Sequence, residues 1–241
     1  GINEIIIVVG YKKEEITKNI GKEYKGVKVT YVVQKEQRGL VNAIECAKEK
    51  IGDSDFLLML ADEVLLKPDI KGMVKKFKKE DLFAICGTTK ENDKSSIGKT
   101  YSAMINEKGR VYRLIEKPRF PINNIKGTGH CILKNQILEL INRTPINANR
   151  GEKELVDLIQ VAVDEGKKVY VYDLTKKYVN VNNQEDFNLV RESLKKTKVK
   201  VLIVHPQMNY FGGAELLIVE LCNWLTKKGI KNDILTFSKS K

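Results

Sequence analysis

Four short runs in this 241-residue sequence carry side chains suited to phosphate and sugar chemistry. Asp62 follows an apolar run at 56–60 that reads as a buried strand. Open α/β sheets bind ligands at the carboxyl ends of their strands. A carboxylate there suits Mg²⁺ held against a phosphate, although acids also simply solvate strand ends. Gln34 opens the run QKEQRG, and its amide offers a donor and an acceptor to a nucleobase edge. Gly39 closes that run and lets a ligand approach backbone at a helix start; an ordinary polar loop is the plain alternative. Glu116-Lys117-Pro118 pairs an acceptor for sugar hydroxyls with a cation for a phosphate. A solvated charged pair before a proline is equally common. Asn180 and Asn182 offer neutral oxygens to a hard cation, in a segment whose composition also suits a simple turn.

The elements that must position these residues alternate. Strands are expected at 4–9, 27–33, 56–60 and 82–86, with helices at 12–20, 39–51 and from Pro68 to Phe77. Leu40, Ala43, Ile44, Ala47 and Ile51 share one helical face, and Pro68 suits a first helical turn. This alternation predicts an α/β fold, Rossmann-like, with a mostly parallel mixed sheet flanked by helices. The middle differs: 101–105 and 111–115 read as a hairpin around 106–109. A strand at 127–133, a short helix at 136–142, an amphipathic helix at 152–165 stopped by Gly166, a strand at 169–172 and a helix at 183–194 follow. The run KKTKVK reads as a linker. A strand at 199–204, the pair Gly212-Gly213, a helix at 214–228 and a strand at 233–237 then restart the pattern as a partial second Rossmann-like βαβ unit. About 40 residues can hardly bury a core alone. The expected division is therefore 1–195 and 196–241, with the chain starting and stopping inside larger domains.

Composition excludes several classes. A 42% hydrophobic content argues against a disordered chain. No apolar run approaches the roughly 18–20 residues of a membrane span, and the start lacks a secretory pattern. The net charge is 43 − 31 = +12, but its lysines are scattered along helix surfaces and turns. Aromatic residues are only 7%, so no stacking strip supports a specific nucleic-acid partner. Cys46, Cys86, Cys131 and Cys222 form no CxxC pair, which argues against a zinc site. Cys46 and Cys222 lie among apolar residues and are expected to be buried, reduced thiols. A cytoplasmic location fits these features.

Seven ordered blocks carry a family resemblance: GINEIIIVVGYKKEEI, YVVQKEQRGLVNAIECA, FLLMLADEVLL, GRVYRLIEKP, GTGHCIL, GEKELVDLIQVAVDEGKKV and YVNVNNQEDFNLV. Together they resemble the sugar-phosphate nucleotidyltransferases, or NDP-sugar pyrophosphorylases, over about residues 1–195. The resemblance implies that an NTP and a sugar 1-phosphate give an NDP-sugar and pyrophosphate, with Mg²⁺ as cofactor. It implies that Gln34 and Gly39 bind the nucleotide, that Glu116, Lys117 and Gly129 bind the sugar phosphate, and that Asp62 holds the metal. The VNN segment points to Asn182 as second metal ligand, with Asn180 as the other option. Two departures stand out. Tyr101-Ser102 replaces the family's Tyr-Gly, and the glycine-rich GxGxRL loop with its catalytic lysine is absent. No catalytic residue is therefore assigned within residues 1–241, and these residues alone are expected to be inactive while the longer protein is active. The run KVKVLIVHPQMNYFGGAELLIVELCNWLTKKGIKNDILTF is similar to the start of GT-B glycosyltransferases of the family 4 type, with Gly212 and Gly213 facing a cleft. A fusion of nucleotidyltransferase and glycosyltransferase is one reading. A non-catalytic, sugar-nucleotide-binding regulatory or assembly subunit is the alternative, and homo-oligomerisation is compatible with both.

Overall fold

The structure is a computed structural model and describes residues 2–195, 201–205, 213–227 and 232–236. In chain order the elements are β1 Glu4–Val9, α1 Lys13–Ile20, β2 Glu23–Tyr24, β3 Val27–Val33, α2 Gly39–Ile51, β4 Phe56–Leu58, β5 Glu63–Leu66 and α3 Ile70–Lys79. There follow β6 Ala84–Lys90, α4 Lys94–Ile97, β7 Tyr101–Ile105, β8 Val111–Glu116, β9 Ile125–Leu133, a 3₁₀ segment Asn135–Arg143, α5 Leu155–Asp164 and β10 Val169–Asp173. The last are β11 Lys177–Asn180, α6 Gln184–Lys195, β12 Val201–His205, α7 Gly213–Lys227 and β13 Asn232–Thr236. The fold is α/β with mixed sheets flanked by helices.

The chain packs as two compact units: Gly1–Glu36, Leu60–Leu65 and Tyr178–Lys241 form one, and Gln37–Met59 and Leu66–Lys177 the other. In the first unit β3 lies between parallel β1 and antiparallel β2. Ile7, Val9, Ile16 and Val29 form a buried cluster against α1, each contributing roughly 1.5–3 kcal/mol of burial. β5 pairs with β11, and β12 with β13 in parallel. With α7 between them, these last strands have the βαβ order expected. Arg191 of α6 stacks over the Trp224 ring of α7 at 4.7 Å.

The second unit is built on the sheet β10-β6-β9-β4. β10 and β6 are parallel, and β9 runs antiparallel to both β6 and β4. β7 and β8 form the expected hairpin. Asn106 Oδ1 accepts from the N–H groups of Lys108 and Arg110, and Gly109 takes φ +81°, which closes its turn. The hairpin is clamped to α5 by Gln160, a buried side chain whose Oε1 accepts from Leu114 N–H at 2.7 Å.

Four expectations are corrected. Strand 56–60 stops at Leu58, so Asp62 sits in a turn between β4 and β5 rather than directly on a strand end. Pro68 precedes helix α3 instead of opening it. Asp69 is the N-cap: its Oδ1 accepts from Gly72 N–H at 2.9 Å, and its Oδ2 accepts from the Tyr172 hydroxyl at 2.7 Å. The segment near 136–142 is 3₁₀ rather than α, an outcome of packing that apolar spacing alone does not separate. Cys46 and Cys222 are only half-buried, whereas Cys86 and Cys131 are buried opposite each other on β6 and β9. None of the four is in a disulfide. Among the described residues no helix is long and apolar enough to cross a membrane.

Candidate functional site

Two groups of candidate residues are assembled, each within one unit. In the first unit β11 returns beside β5, and Val181 N–H donates to Asp62 C=O at 2.8 Å. That bond brings residues 62 and 180 together from 118 positions apart. The Oδ1 atoms of both Asp62 and Asn180 are buried, and Asn180 Oδ1 has no hydrogen-bond partner. A buried carbonyl oxygen without a donor is costly unless something else fills the role. Asn182 is exposed, and its backbone N–H donates to Asp186 Oδ2 at 2.9 Å. Asn183 Oδ1 accepts from the N–H groups of Glu185 and Asp186 at the start of α6. Of the two asparagines, Asn180 carries a buried oxygen, whereas Asn182 is exposed.

Sequence reading missed two further residues of this corner. Glu63 is buried at 5% exposure, and its Oε1 accepts from the Tyr178 hydroxyl at 2.8 Å. Burial, then the Glu63 charge, pushes the Tyr178 phenol well up. No spacing signal links Tyr178 to Glu63; only the β5–β11 pairing does. A carboxylate and an amide oxygen are hard donors that fit Mg²⁺, which commonly takes one or two protein oxygens and fills its shell with water and phosphate. Among the described residues no cluster of three or more His, Cys, Asp or Glu offers a closed metal cage.

In the second unit Glu116 ends β8 and Lys117 follows at φ +43°. This left-handed backbone costs a lysine about 1–2 kcal/mol. It is held by Lys117 N–H donating to Thr100 C=O at 2.6 Å. The turn directs both side chains into an open cavity of about 410 Å³ that Arg113, Asn147, Arg150, Glu154 and Asp157 also line. That volume lies in the range of small-ligand sites. Lys117 Nζ stands 3.8 Å from Glu116 Oε1, and Arg150 Nη1 3.1 Å from Glu154 Oε1. Burial, then the Glu154 charge, lifts Glu116 to about 7, against the pull of Lys117 and Arg150. Burial and Glu154 also raise Asp157, which Arg113 opposes. Arg113, Arg150, Glu154 and Asp157 carried no role in the sequence reading. The spacing of 154 and 157 at the start of α5 was visible, but its facing β8 was not.

Gly129 is buried in β9 and does not line this cavity. Nearby Gly127 is required for packing, since a Cβ there would lie 2.2 Å from the Tyr101 ring. Ser102 is buried and donates to Asn123 Oδ1 at 2.9 Å. Gln34, in the first unit, is half-buried with its N–H on Val9 C=O at 2.8 Å. Gly39, in the second, opens α2 at φ +82°, a conformation that glycine tolerates. Gly213 opens α7, and Gly212 lies outside the described residues.

Comparison with known proteins is consistent with this chemistry. The chain is 31% identical, over 169 residues, to a UTP–glucose-1-phosphate uridylyltransferase of Haloferax volcanii, covering 70% of this chain and 68% of that protein. It is 29% identical over 171 residues to a glucose-1-phosphate thymidylyltransferase of Streptomyces griseus, covering 70% and 46%. It is 25% identical over 203 residues to the bifunctional protein GlmU of Caldicellulosiruptor saccharolyticus, covering 79% and 42%. The chain thus spans under half the length of the last two. A crystal structure of UDP-glucose pyrophosphorylase complexed with UDP-glucose superposes with a TM-score of 0.69 at 20% identity, over 80% of this chain and 81% of that one. The nucleotidyl transferase family model matches residues 1–197, and the chain belongs to that family.

Proposed function

We propose that the protein containing this chain transfers a nucleotidyl group from an NTP to a sugar 1-phosphate, yielding an NDP-sugar and pyrophosphate. The sugar phosphate oxygen attacks the α-phosphorus in line, and the bond to pyrophosphate breaks. The observation that carries the reading is the joint placement of the Glu116 carboxyl and the Lys117 ammonium in one cavity of small-ligand size. Glu116 would accept from sugar hydroxyls, and Lys117 would hold the phosphate through charge-assisted hydrogen bonds. Asp62 and Asn180 would hold Mg²⁺, which when bound neutralises phosphate charge. Gln34 and Gly39 would meet the nucleotide. The relatives' names support glucose 1-phosphate as the first sugar to test.

The 241 residues contain no GxGxRL motif. Residues 1–241 alone are therefore proposed to bind sugar 1-phosphate without turnover. Residues 196–241 are proposed to begin a GT-B glycosyltransferase domain, a reading that the β12-α7-β13 order supports. One feature favours the second reading, a regulatory binding subunit: Asn180 is neutral and would hold a cation less tightly than a carboxylate. A panel of NTPs and sugar 1-phosphates with Mg²⁺ tests both, using residues 1–241 alone and behind a GxGxRL-bearing segment. Pyrophosphate release only from the longer chain is expected. Binding without release in both would favour the regulatory reading, and release at ordinary rates from residues 1–241 alone would refute the proposed inactivity.

A further inference from the structure

The second unit holds another cavity, of about 510 Å³, between the α4 segment 94–99 and the run 117–121. Its walls are fixed from both sides. Asp93 caps α4, accepting from Ser95 N–H and from the Ser95 hydroxyl, both at 2.9 Å. A Cβ on Gly98 would lie 3.1 Å from the Pro118 carbonyl oxygen, so the two walls pack closely there. Pro118 and Pro121 are buried, whereas Arg119 and Phe120 between them are exposed, Phe120 to 78%. The Arg119 guanidinium lies over the Phe120 ring, 5.4 Å from its centre. The lining carries four cations, Lys94, Lys99, Lys117 and Arg119, and no acid. Lys117 stands beside Glu116 of the neighbouring cavity. Among the described residues Lys94, Lys99 and Arg119 form no salt bridge. The Glu116 cavity differs, since acids and bases line it together.

We propose that this cavity binds an aromatic anion, a flat ring carrying a phosphate or a carboxylate. The ring lies against Phe120, and the anionic group sits among Lys94, Lys99 and Arg119. The chemistry of the lining demands both halves. Pro118, Phe120 and Pro121 offer an apolar surface on which a ring can pack, and an aromatic face favours another ring in offset or edge contact. Cations without acidic partners make charge-assisted hydrogen bonds to an anion. A simple anion would leave the apolar surface wet, and a neutral ring would leave the positive charge unanswered. The volume is that of a small-ligand site, and walls already held in place lower the ordering cost of binding. Lys117 is the lining residue common to this cavity and the Glu116 cavity. Binding here is independent of the nucleotidyl-transfer reading.

The test titrates the 241-residue chain with phenyl phosphate, with affinity read by calorimetry and location by nuclear magnetic resonance of the Phe120 ring. The ring signals are expected to shift with saturation, and to do so equally in excess glucose 1-phosphate. Lys94→Ser combined with Lys99→Ser is expected to weaken phenyl phosphate by about tenfold or more, and Phe120→Ser by about fivefold, with urea unfolding unchanged in both variants. Inorganic phosphate and benzyl alcohol, each carrying half of the chemistry, are expected to bind about tenfold more weakly than phenyl phosphate or not at all. Benzoate separates the two anionic groups: affinity equal to phenyl phosphate assigns charge alone, and weaker binding assigns phosphate. If inorganic phosphate binds as tightly as phenyl phosphate, the aromatic part is overturned. If phenyl phosphate leaves Phe120 unmoved, is displaced by glucose 1-phosphate, or binds both variants as tightly as the unaltered chain, the proposal is overturned. If phenyl phosphate does not bind and Phe120→Ser turns a dimer into a monomer in sedimentation, the face joins two copies of the chain, and the proposal is likewise overturned.

Discussion

The Asp62–Asn180 corner and the Glu116–Lys117 cavity solve opposite electrostatic problems. The corner buries the Oδ1 atoms of Asp62 and Asn180, and in the same β5–β11 pair the Tyr178 hydroxyl donates to Glu63 Oε1. The cavity instead crowds acids and bases together in the open, with Glu116, Glu154 and Asp157 set against Lys117, Arg113 and Arg150. In the cavity burial, then the Glu154 charge, lifts Glu116 to about 7 against the pull of Lys117 and Arg150. The difference teaches that a buried oxygen depends on a single partner, whereas a partly buried acid is shifted first by desolvation and then by the charges around it.

The largest effect expected is from Asp62→Ala in the longer chain carrying GxGxRL. Mg²⁺-dependent pyrophosphate release should fall by about 100-fold or more. Glucose 1-phosphate binding, followed by calorimetry, should be unchanged, and a matching loss of sugar binding would show that the two regions are not independent. Lys117→Gly should separate stability from binding within the cavity. Glycine relieves the left-handed backbone and should raise unfolding free energy by about 1 kcal/mol in urea. Loss of the ammonium should weaken glucose 1-phosphate by about tenfold or more.

Glu116→Gln probes the charge balance through pH. The native carboxyl titrates near 7 against an ordinary 4.5, so between those values the native state holds more protons than the unfolded one. Stability contributed by this group is intact below about 4.5 and falls as pH rises through 7. The glutamine variant lacks that loss. Urea midpoints should coincide at pH 4 and favour the variant by of order 1 kcal/mol at pH 8.5, allowing for solvent screening. The smallest effect is expected from Arg150→Ala. Removing a cation that pulls Glu116 down should move its titration, followed by carboxyl-carbon resonance, slightly higher.

Much of the fold was legible because apolar periodicity is local. The helix face Ile44, Ala47 and Ile51 and the hairpin around Gly109 follow from neighbours a few residues apart, although the helix buries Val41 where Leu40 and Ala43 were expected. The strand ending at Leu58 and the cap at Asp69 were less legible, since Pro68 mimics a helix start and Leu60 extends an apolar run. Within the candidate site, Glu116, Lys117 and Asp62 carried their chemistry in their types. Their companions did not: Glu154 and Asp157 read as an ordinary helical surface, and Tyr178 as one more strand aromatic.

Residue type and short-range spacing by themselves determined the α/β alternation, the hairpin and the chemical character of the two candidate groups, because propensity and pattern act over a few residues. Tertiary structure alone decided that β11 returns beside β5, with Val181 N–H on Asp62 C=O, and that Glu63 answers Tyr178 across 115 positions. The pairing of β5 with β11 is set by the packing of the whole unit, and hydrogen bonds act only over the few ångströms that such pairing creates.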